Sequence, residues 1–356
     1  MKMTLGHLPP VVEKAMDNQL RQMLFQYLVD EEEDYRAAAM VLAGMRMETN
    51  ENDLNNDDND EDGNGNSNSS NNDKSVYYTS NADRTDVYVK IAECFLNEED
   101  YVEAETFVTK AGSSVESIEK PEQHLVLILR FKSTYARVLD ANRKFLQAAG
   151  RYYDLSQVVI NDTTGTMKDM IESDDLLEFL GRAATCAILA PSSSQRQRIL
   201  GLVFKDERLT QLDSIPHFKS HSSIVTRMYM NQIIERGDDL IQFQDSLSDH
   251  QKAIMSDGLT IEQRALIEHN MVAVSRLYTS IYLDDLGKLL GLTSERAERI
   301  ACEMIMNGNL AGGSIDQVDG TLNFDNTESE LVNWDGAITS FCSQLNRITD
   351  AVRQHT

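Results

Sequence analysis

What this chain lacks narrows its function before any motif is read. No apolar stretch approaches the ~18 residues of a membrane-spanning helix; the run Leu125-Val-Leu-Ile-Leu129 stops at five. The first 30 residues show no basic segment leading into an apolar one, so no secretory leader is expected. Cysteines are few: Cys94, Cys186, Cys302 and Cys342 lie far apart, with no Cys-x-x-Cys pair. That usage reads as free, buried thiols in a reducing compartment. Five prolines and 7% aromatics, beside abundant Leu, Ile, Met and Ala, favour helix over sheet. Positive charge is scarce too. Lys and Arg number 33 against 58 Asp and Glu, a formal net charge of −25. No Lys/Arg run marks a nucleic-acid patch, and phosphate contacts demand one.

Catalytic signatures are missing as well. There is no His-x-His followed by a distant Ser and Asp, no His-Glu-x-x-His, no Gly-x-Ser-x-Gly and no Gly-Lys-Ser/Thr. His217 and His221 stand four apart and could share a metal only on a helix. Pro216 opposes that helix, and no Glu lies in phase, so both read as surface polar residues. His269 reads as a hydrogen-bonded residue between helices. No catalytic residue, metal or cofactor is expected.

What is present centres on residues 281–324. Asp284 to Leu290 predicts a helix with Leu286, Leu289 and Leu290 on one face, ended by Gly291. Thr293 or Ser294 caps a second helix, in which Ala297, Ile300, Ala301, Met304 and Ile305 recur at helical spacing, and Gly308 stops it. Beyond Gly308 the period becomes two: Ile315, Val318, Leu322 and Phe324 flank Asp319-Gly320, a hairpin signal. Helix, turn, helix and hairpin make a winged helix. Lys288, Arg296 and Arg299 stand against seven carboxylates there, a charge of −4. Such a domain is expected to pack against protein, not DNA.

Upstream the pattern is helical and repetitive. Residues 11–47 predict two helices, the first with an apolar stripe of Val12, Met16, Leu20, Met23, Leu24 and Leu28. Residues 84–111 and 122–160 predict two more pairs. Each pair turns through a polar corner into an aromatic residue, with Ala three positions on: Tyr35/Ala38, Tyr101/Ala104, Phe145/Ala148. The last two copies are 44 apart; the first two are 66 apart, or 38 without an intervening 28-residue insertion. A two-helix period near 40 is the mark of an α-solenoid of the tetratricopeptide kind. The insertion, 48–75, holds ten Asn and nine Asp or Glu against one Lys. It is too polar to form a core and is expected to be disordered. Near the C-terminus, Ile338, Phe341, Leu345, Ile348 and Val352 form a heptad stripe on one predicted helix. That stripe either folds back on its own winged helix or joins a bundle with other chains; the large apolar face favours the bundle.

The predicted fold is therefore mostly α: a solenoid of bihelical repeats, a winged helix and a C-terminal heptad helix. Its parts are a helical repeat over 1–47, the insertion over 48–80, a repeat arm over 81–258, a winged helix with its linking helix over 259–325, and a bundle helix over 330–356. This layout is that of PCI-domain proteins. The stretches ARVLDANRKFLQAAGRYYDLS (136–156), ILAPSSSQRQRILGLVFKDERLTQL (188–212), RALIEHN (264–270) and LGKLLGLTSERAERIACEMIMNGNLAGGSIDQVDGTLNF (286–324) resemble PCI subunits of the signalosome kind. The likeness runs from about 34 to 353 outside the insertion and places a PCI module at 140–325. Gly312-Gly313 departs from it by one extra small residue in the wing. Relatives also carry more repeat ahead of residue 1 and a longer tail.

The resemblance implies assembly through winged-helix edge strands and a bundle of C-terminal helices, as among subunits of the signalosome, the proteasome lid and translation initiation factor 3. Ile315, Val318, Leu322, Phe324, Ile338, Phe341, Leu345, Ile348 and Val352 are the partner-interface candidates. It further implies a non-catalytic scaffold, in cytoplasm and nucleus, beside other PCI and MPN subunits. The complex takes a ubiquitin-like modifier off the cullins of cullin-RING ligases, with its catalytic metal in a separate MPN-type subunit. A PCI subunit of the proteasome lid is the alternative.

Overall fold

The computed structural model describes residues 10–45, 80–118, 120–161, 171–310, 312–324, 334 and 338–344. The insertion expected over 48–75 and the seam residues Leu345, Ile348 and Val352 lie outside the described residues. The chain divides into two compact units, Met1–Glu172 and Ser173–Thr356.

The first unit is three helix pairs: α1 (Pro10–Asp30) with α2 (Tyr35–Ala43), α3 (Asn81–Asn97) with α4 (Tyr101–Glu116), and α5 (Leu125–Ala141) with α6 (Phe145–Ser156), followed by the short α7 (Val158–Asn161). Tyr35, Tyr101 and Phe145 each open the second helix of a pair. Ala38, Ala104 and Ala148 are fully buried, as close helix approach requires. The corner itself repeats. Glu33, Glu99 and Arg143, each two residues before the aromatic, all take a left-handed backbone with φ of 52°, 60° and 60°. Asp34 and Asp100 then cap α2 and α4 by accepting from the backbone N–H of Ala37 and Glu103. The core joins Ala38, Leu42, Val89, Ile91, Ala104, Val108 and Phe131, with Phe95 stacked on Phe107.

The apolar stripe of α1 mostly faces out: Met16, Leu20, Met23 and Leu24 are exposed, while Phe25, Leu28 and Val29 pack on the core. The helix is apolar on two sides, and the stripe with the more regular spacing is the uncovered one. Buried thiols hold for Cys94 and Cys186 only; Cys302 and Cys342 are exposed. Burial raises the Cys94 thiol to about 11, so it stays protonated.

The second unit begins with α8 (Ser173–Leu189) and α9 (Ser194–Phe204), passes through 3-10 turns at Glu207–Ser214 and Pro216–Phe218, and continues with α10 (His221–Tyr229), α11 (Asp238–Ser246) and α12 (Ile261–Leu277). Gly181 is needed at one crossing: a Cβ there would meet the Phe218 ring at 2.6 Å. Polar groups are buried among these helices. Arg196 donates to the carbonyls of Ala187 (3.0 Å) and Ile188 (3.0 Å), closing the C-terminal end of α8. Burial lowers its guanidinium to about 10 without discharging it at neutral pH. His221 is also inside, which corrects its reading as a surface residue. Its Nε2 lies 2.8 Å from Thr185 Oγ1, and the Phe218 and Phe243 rings meet it edge-on. His217 is the exposed one of the two.

Candidate functional site

The RALIEHN stretch ties α12 to the loops before it and, through Arg264, to the winged helix. Thr260 and Gln263 form a reciprocal cap that starts α12. Glu268 accepts from the Ser192 N–H (2.9 Å) and from Arg264 Nε (2.8 Å). Asn270 bonds both the N–H (2.8 Å) and the carbonyl (2.9 Å) of Ile234, and His269 meets the Gln232 carbonyl at 2.9 Å. His269 thus bonds a loop backbone, and burial lowers it to about 4, leaving it neutral. Arg264 also pairs with Asp257 on the preceding loop and with Glu303 of the winged helix. Burial opposes its charge, but its bonds to Glu268 and Glu303 outweigh that and push the guanidinium above its usual value.

From α12 the chain enters β1 (Ser280–Tyr282), α13 (Leu283–Leu290), α14 (Ser294–Met306), β2 (Ser314–Asp316) and β3 (Thr321–Asn323). Gly291 ends α13 with φ +69°, as expected. Gly287 permits the tight turn beyond it, since a Cβ would sit 2.9 Å from the Leu292 carbonyl oxygen. Leu283 begins α13, one residue ahead of the expected start at Asp284. The sheet is antiparallel, in the order β1-β3-β2, with Ile281, Leu322 and Ile315 in one cross-strand row. The wing turn is longer than a two-residue hairpin. Asp316 Oδ1 accepts from the N–H of Val318 (2.9 Å) and Asp319 (3.2 Å), holding four residues in the turn before β3. That takes Val318 off the strand, correcting the alternation read through it.

The interface candidates therefore differ in what they can offer. Leu322 is fully buried in the domain's own core with Leu286, Ala297, Ile300, Ala301 and Met304. Ile315 and Phe324 are partly buried against the same core. Val318 is 94% exposed at the wing tip. Residues 338–344 are helical, with Ile338 and Phe341 exposed, Phe341 at 63%. Trp334 is exposed beside them. Among the described residues, no strand pairs with the outer edges of β1 or β2. Sequence reasoning passed over Leu277, Tyr278 and Tyr282, exposed apolar residues at the β1 edge. Tyr282 lies in β1, and Leu277 and Tyr278 close α12 just ahead of it.

The exposed charge on the winged helix is mostly negative. On α14, Arg296 is engaged with the Asp257 carbonyl (3.1 Å), and Glu298 accepts from Gln317 of the wing (2.7 Å). Asp284, Asp285, Glu295, Asp316 and Asp319 face solvent. Among the described residues, no three His, Cys, Asp or Glu side chains gather as metal ligands. No described helix is long and apolar enough to cross a membrane. In the first unit a cleft of about 310 Å³ is lined by Asp86, Glu122, His124 and Arg130. Its Arg130 is already held by Glu93 and Asp86, and that pairing raises the guanidinium further.

A three-stranded winged helix closing a chain of helical pairs defines the PCI class. Residues 247–326 match the family described as PCI domain, so the chain carries a PCI domain, and residues 76–162 match PSMD12/CSN4, N-terminal. More particularly, it is similar to COP9 signalosome complex subunit 4. It is 38% identical to that subunit of Arabidopsis thaliana over 264 residues, covering 74% of this chain and 62% of that protein. With the Dictyostelium discoideum subunit it shares 36% over 269 residues, 76% of this chain and 62% of the other. With that of Drosophila melanogaster it shares 38% over 265 residues, 74% and 59%. The chain spans about 60% of the length of these curated relatives.

Proposed function

We propose that this chain is a non-catalytic scaffold subunit of a signalosome-type assembly that removes a ubiquitin-like modifier from the cullins of cullin-RING ligases. The observation that carries the reading is the open outer edge of β2, Ser314–Asp316, on an acidic winged helix. A short strand edge with unpaired backbone groups accepts a neighbour's strand, and carboxylates around it discourage nucleic acid. The exposed Ile338 and Phe341 supply a second contact, in which helices of several subunits bundle. Leu322 supports the edge from within, and Ile315, Phe324 and Val318 flank it; the heptad stripe of the sequence continues through Leu345, Ile348 and Val352, outside the described residues. The isopeptidase chemistry belongs to an MPN-type metalloprotease partner. Cullin-RING ligases are substrates of the whole complex, which works in cytoplasm and nucleus without nucleic acid or membrane.

The proteasome lid is the second reading, because the model matching residues 76–162 is named for both kinds of subunit. The relatives, matched over about three quarters of the chain, favour the signalosome. Affinity purification of the tagged chain from its own cells, followed by mass spectrometry, separates the two. Stoichiometric PCI and MPN subunits of a signalosome are expected; lid subunits, or no companions at all, would overturn the reading.

A further inference from the structure

We propose that the turn around Asp257 is a latch on a joint that aims the winged helix. The whole joint lies within the second unit, and it does not rest on which assembly the chain joins. Ahead of α12, the Met255 N–H bonds the Leu259 carbonyl (2.8 Å), and the Gly258 N–H returns to the Met255 carbonyl (3.0 Å). Gly258 closes this turn with φ +79°. Asp257 sits inside it and spends three oxygens in three directions. Its Oδ1 accepts from the Leu259 N–H (3.1 Å) and stiffens its own turn. Its Oδ2 pairs with Arg264 Nη1 of α12 (2.9 Å). Its carbonyl accepts from Arg296 Nη2 of α14 (3.1 Å). Arg264 closes the triangle: its Nη2 pairs with Glu303 of α14, while its Nε is held by Glu268 (2.8 Å).

The remaining hold on the winged helix is less directional. Ile267, Met271 and Val274 of α12 belong to one apolar core with Leu286, Ile300 and Met304. Apolar burial has no preferred direction, so it keeps α12 and the winged helix together more than it fixes the angle between them. Charge-assisted bonds are directional and supply that angle. The chain crosses from α12 into β1 at Tyr278 and Thr279, where the Phe324 N–H bonds the Thr279 carbonyl (2.8 Å). Arg264 stands thirteen residues before Leu277, about 20 Å along the axis. The pivot is therefore at the C-terminal end of α12 and the latch near its N-terminal end. Opening the latch leaves the apolar core in place and lets the winged helix rock about the pivot, which redirects the free edge of β2 and the wing tip. The leg to Glu303 is the weakest, because that carboxylate is exposed.

Pulsed electron paramagnetic resonance on the full chain tests this, with spin labels at Arg198→Cys on α9 and Val318→Cys at the wing tip, both exposed positions. Cys302→Ser and Cys342→Ser remove the exposed native thiols, while Cys94 and Cys186 are buried. The labelled parent should give one narrow distance. Asp257→Asn with Arg264→Met should widen the distribution at least about twofold with circular dichroism unchanged. Arg227→Met, which removes a surface pair with Asp239, should leave it as it was. Arg296→Gln with Glu303→Gln changes two exposed sites and keeps the Asp257 turn whole. This second pair should widen the distribution less, and it decides the matter if the first pair unfolds. A parent that is already broad would overturn the proposal, because nothing would be latched. So would a distance that the folded variants leave unchanged, because the apolar core would then set the angle alone, or an equal effect of Arg227→Met.

Discussion

The two units bury different things. In Met1–Glu172 the ion pairs, such as Arg130 with Glu93 and Lys144 with Glu105, sit at the surface, while alanines and aromatics fill the core. In Ser173–Thr356 the side chains of Arg196, His221, Glu262, Glu268 and His269 are inside. Surface pairs contribute little, about 0–1 kcal/mol each. Buried polar groups are directional and costly when unpaired. The first unit is thus held mainly by complementary shape, and tolerates charge changes. The second is fixed by specific bonds, which set α12 and the winged helix at one angle within that unit.

The largest effect should come from Arg196→Met. It strips the donor from the Ala187 and Ile188 carbonyls and should cost about 3 kcal/mol. Hydrogen exchange of α8 and α12 amides would read it. Arg130→Met, its counterpart in the first unit, should cost less than about 1 kcal/mol. Equal costs would break the comparison. Next, Ala104→Leu should destabilise the first unit by about 2 kcal/mol through overpacking, measured by denaturant titration.

Acid and base divide the second unit further. Glu262 is held near 7, above its ordinary 4.5, by burial, which a bond from Gln244 and the charge of Arg236 only partly offset. Its folded pKa is raised, so its contribution is full below 4.5 and is lost as pH rises through about 7. His221, lowered to about 3 by burial and then by His217, and His269 run the other way. Their contributions are full above 6.5 and are lost as pH falls toward about 4. Glu262→Gln should therefore gain on the order of 2 kcal/mol at pH 8 and almost nothing at pH 4. Denaturation curves at the two pH values check the sign. Glu99→Gly should stabilise the α3–α4 corner by about 1 kcal/mol, because glycine takes a left-handed backbone without strain. A loss in thermal melting would show that the Glu99 side chain matters more than its φ.

Apolar spacing and glycine punctuation made much of this fold legible. Gly291, Gly308 and Gly320 all stand at positive φ where helix or hairpin ends, and each aromatic–alanine motif sits at a helix start. The left-handed corners escaped notice because Glu33, Glu99 and Arg143 are not glycines. Both sides of α1 are apolar, and periodicity alone cannot say which is covered. Arg196 and Glu262 were missed because charge argues for exposure. Yet Arg196 shares the phase of Leu200 and Val203, and Glu262 that of Leu266 and Ala273, so the pattern held the clue. At the candidate interface, strand alternation located Ile315 and Leu322 correctly but carried Val318 onto a strand, because the Asp316 side chain, not the hydrophobic pattern, sets the turn.

The central claim is that this acidic chain acts by docking to other proteins. Ile338→Asp with Phe341→Asp tests it most directly, in the tagged full chain purified from its own cells. The account predicts a folded protein with unchanged circular dichroism that has lost its stoichiometric companions. A variant that unfolds would assign the C-terminal stripe to internal packing, and one that keeps every companion would contradict the claim.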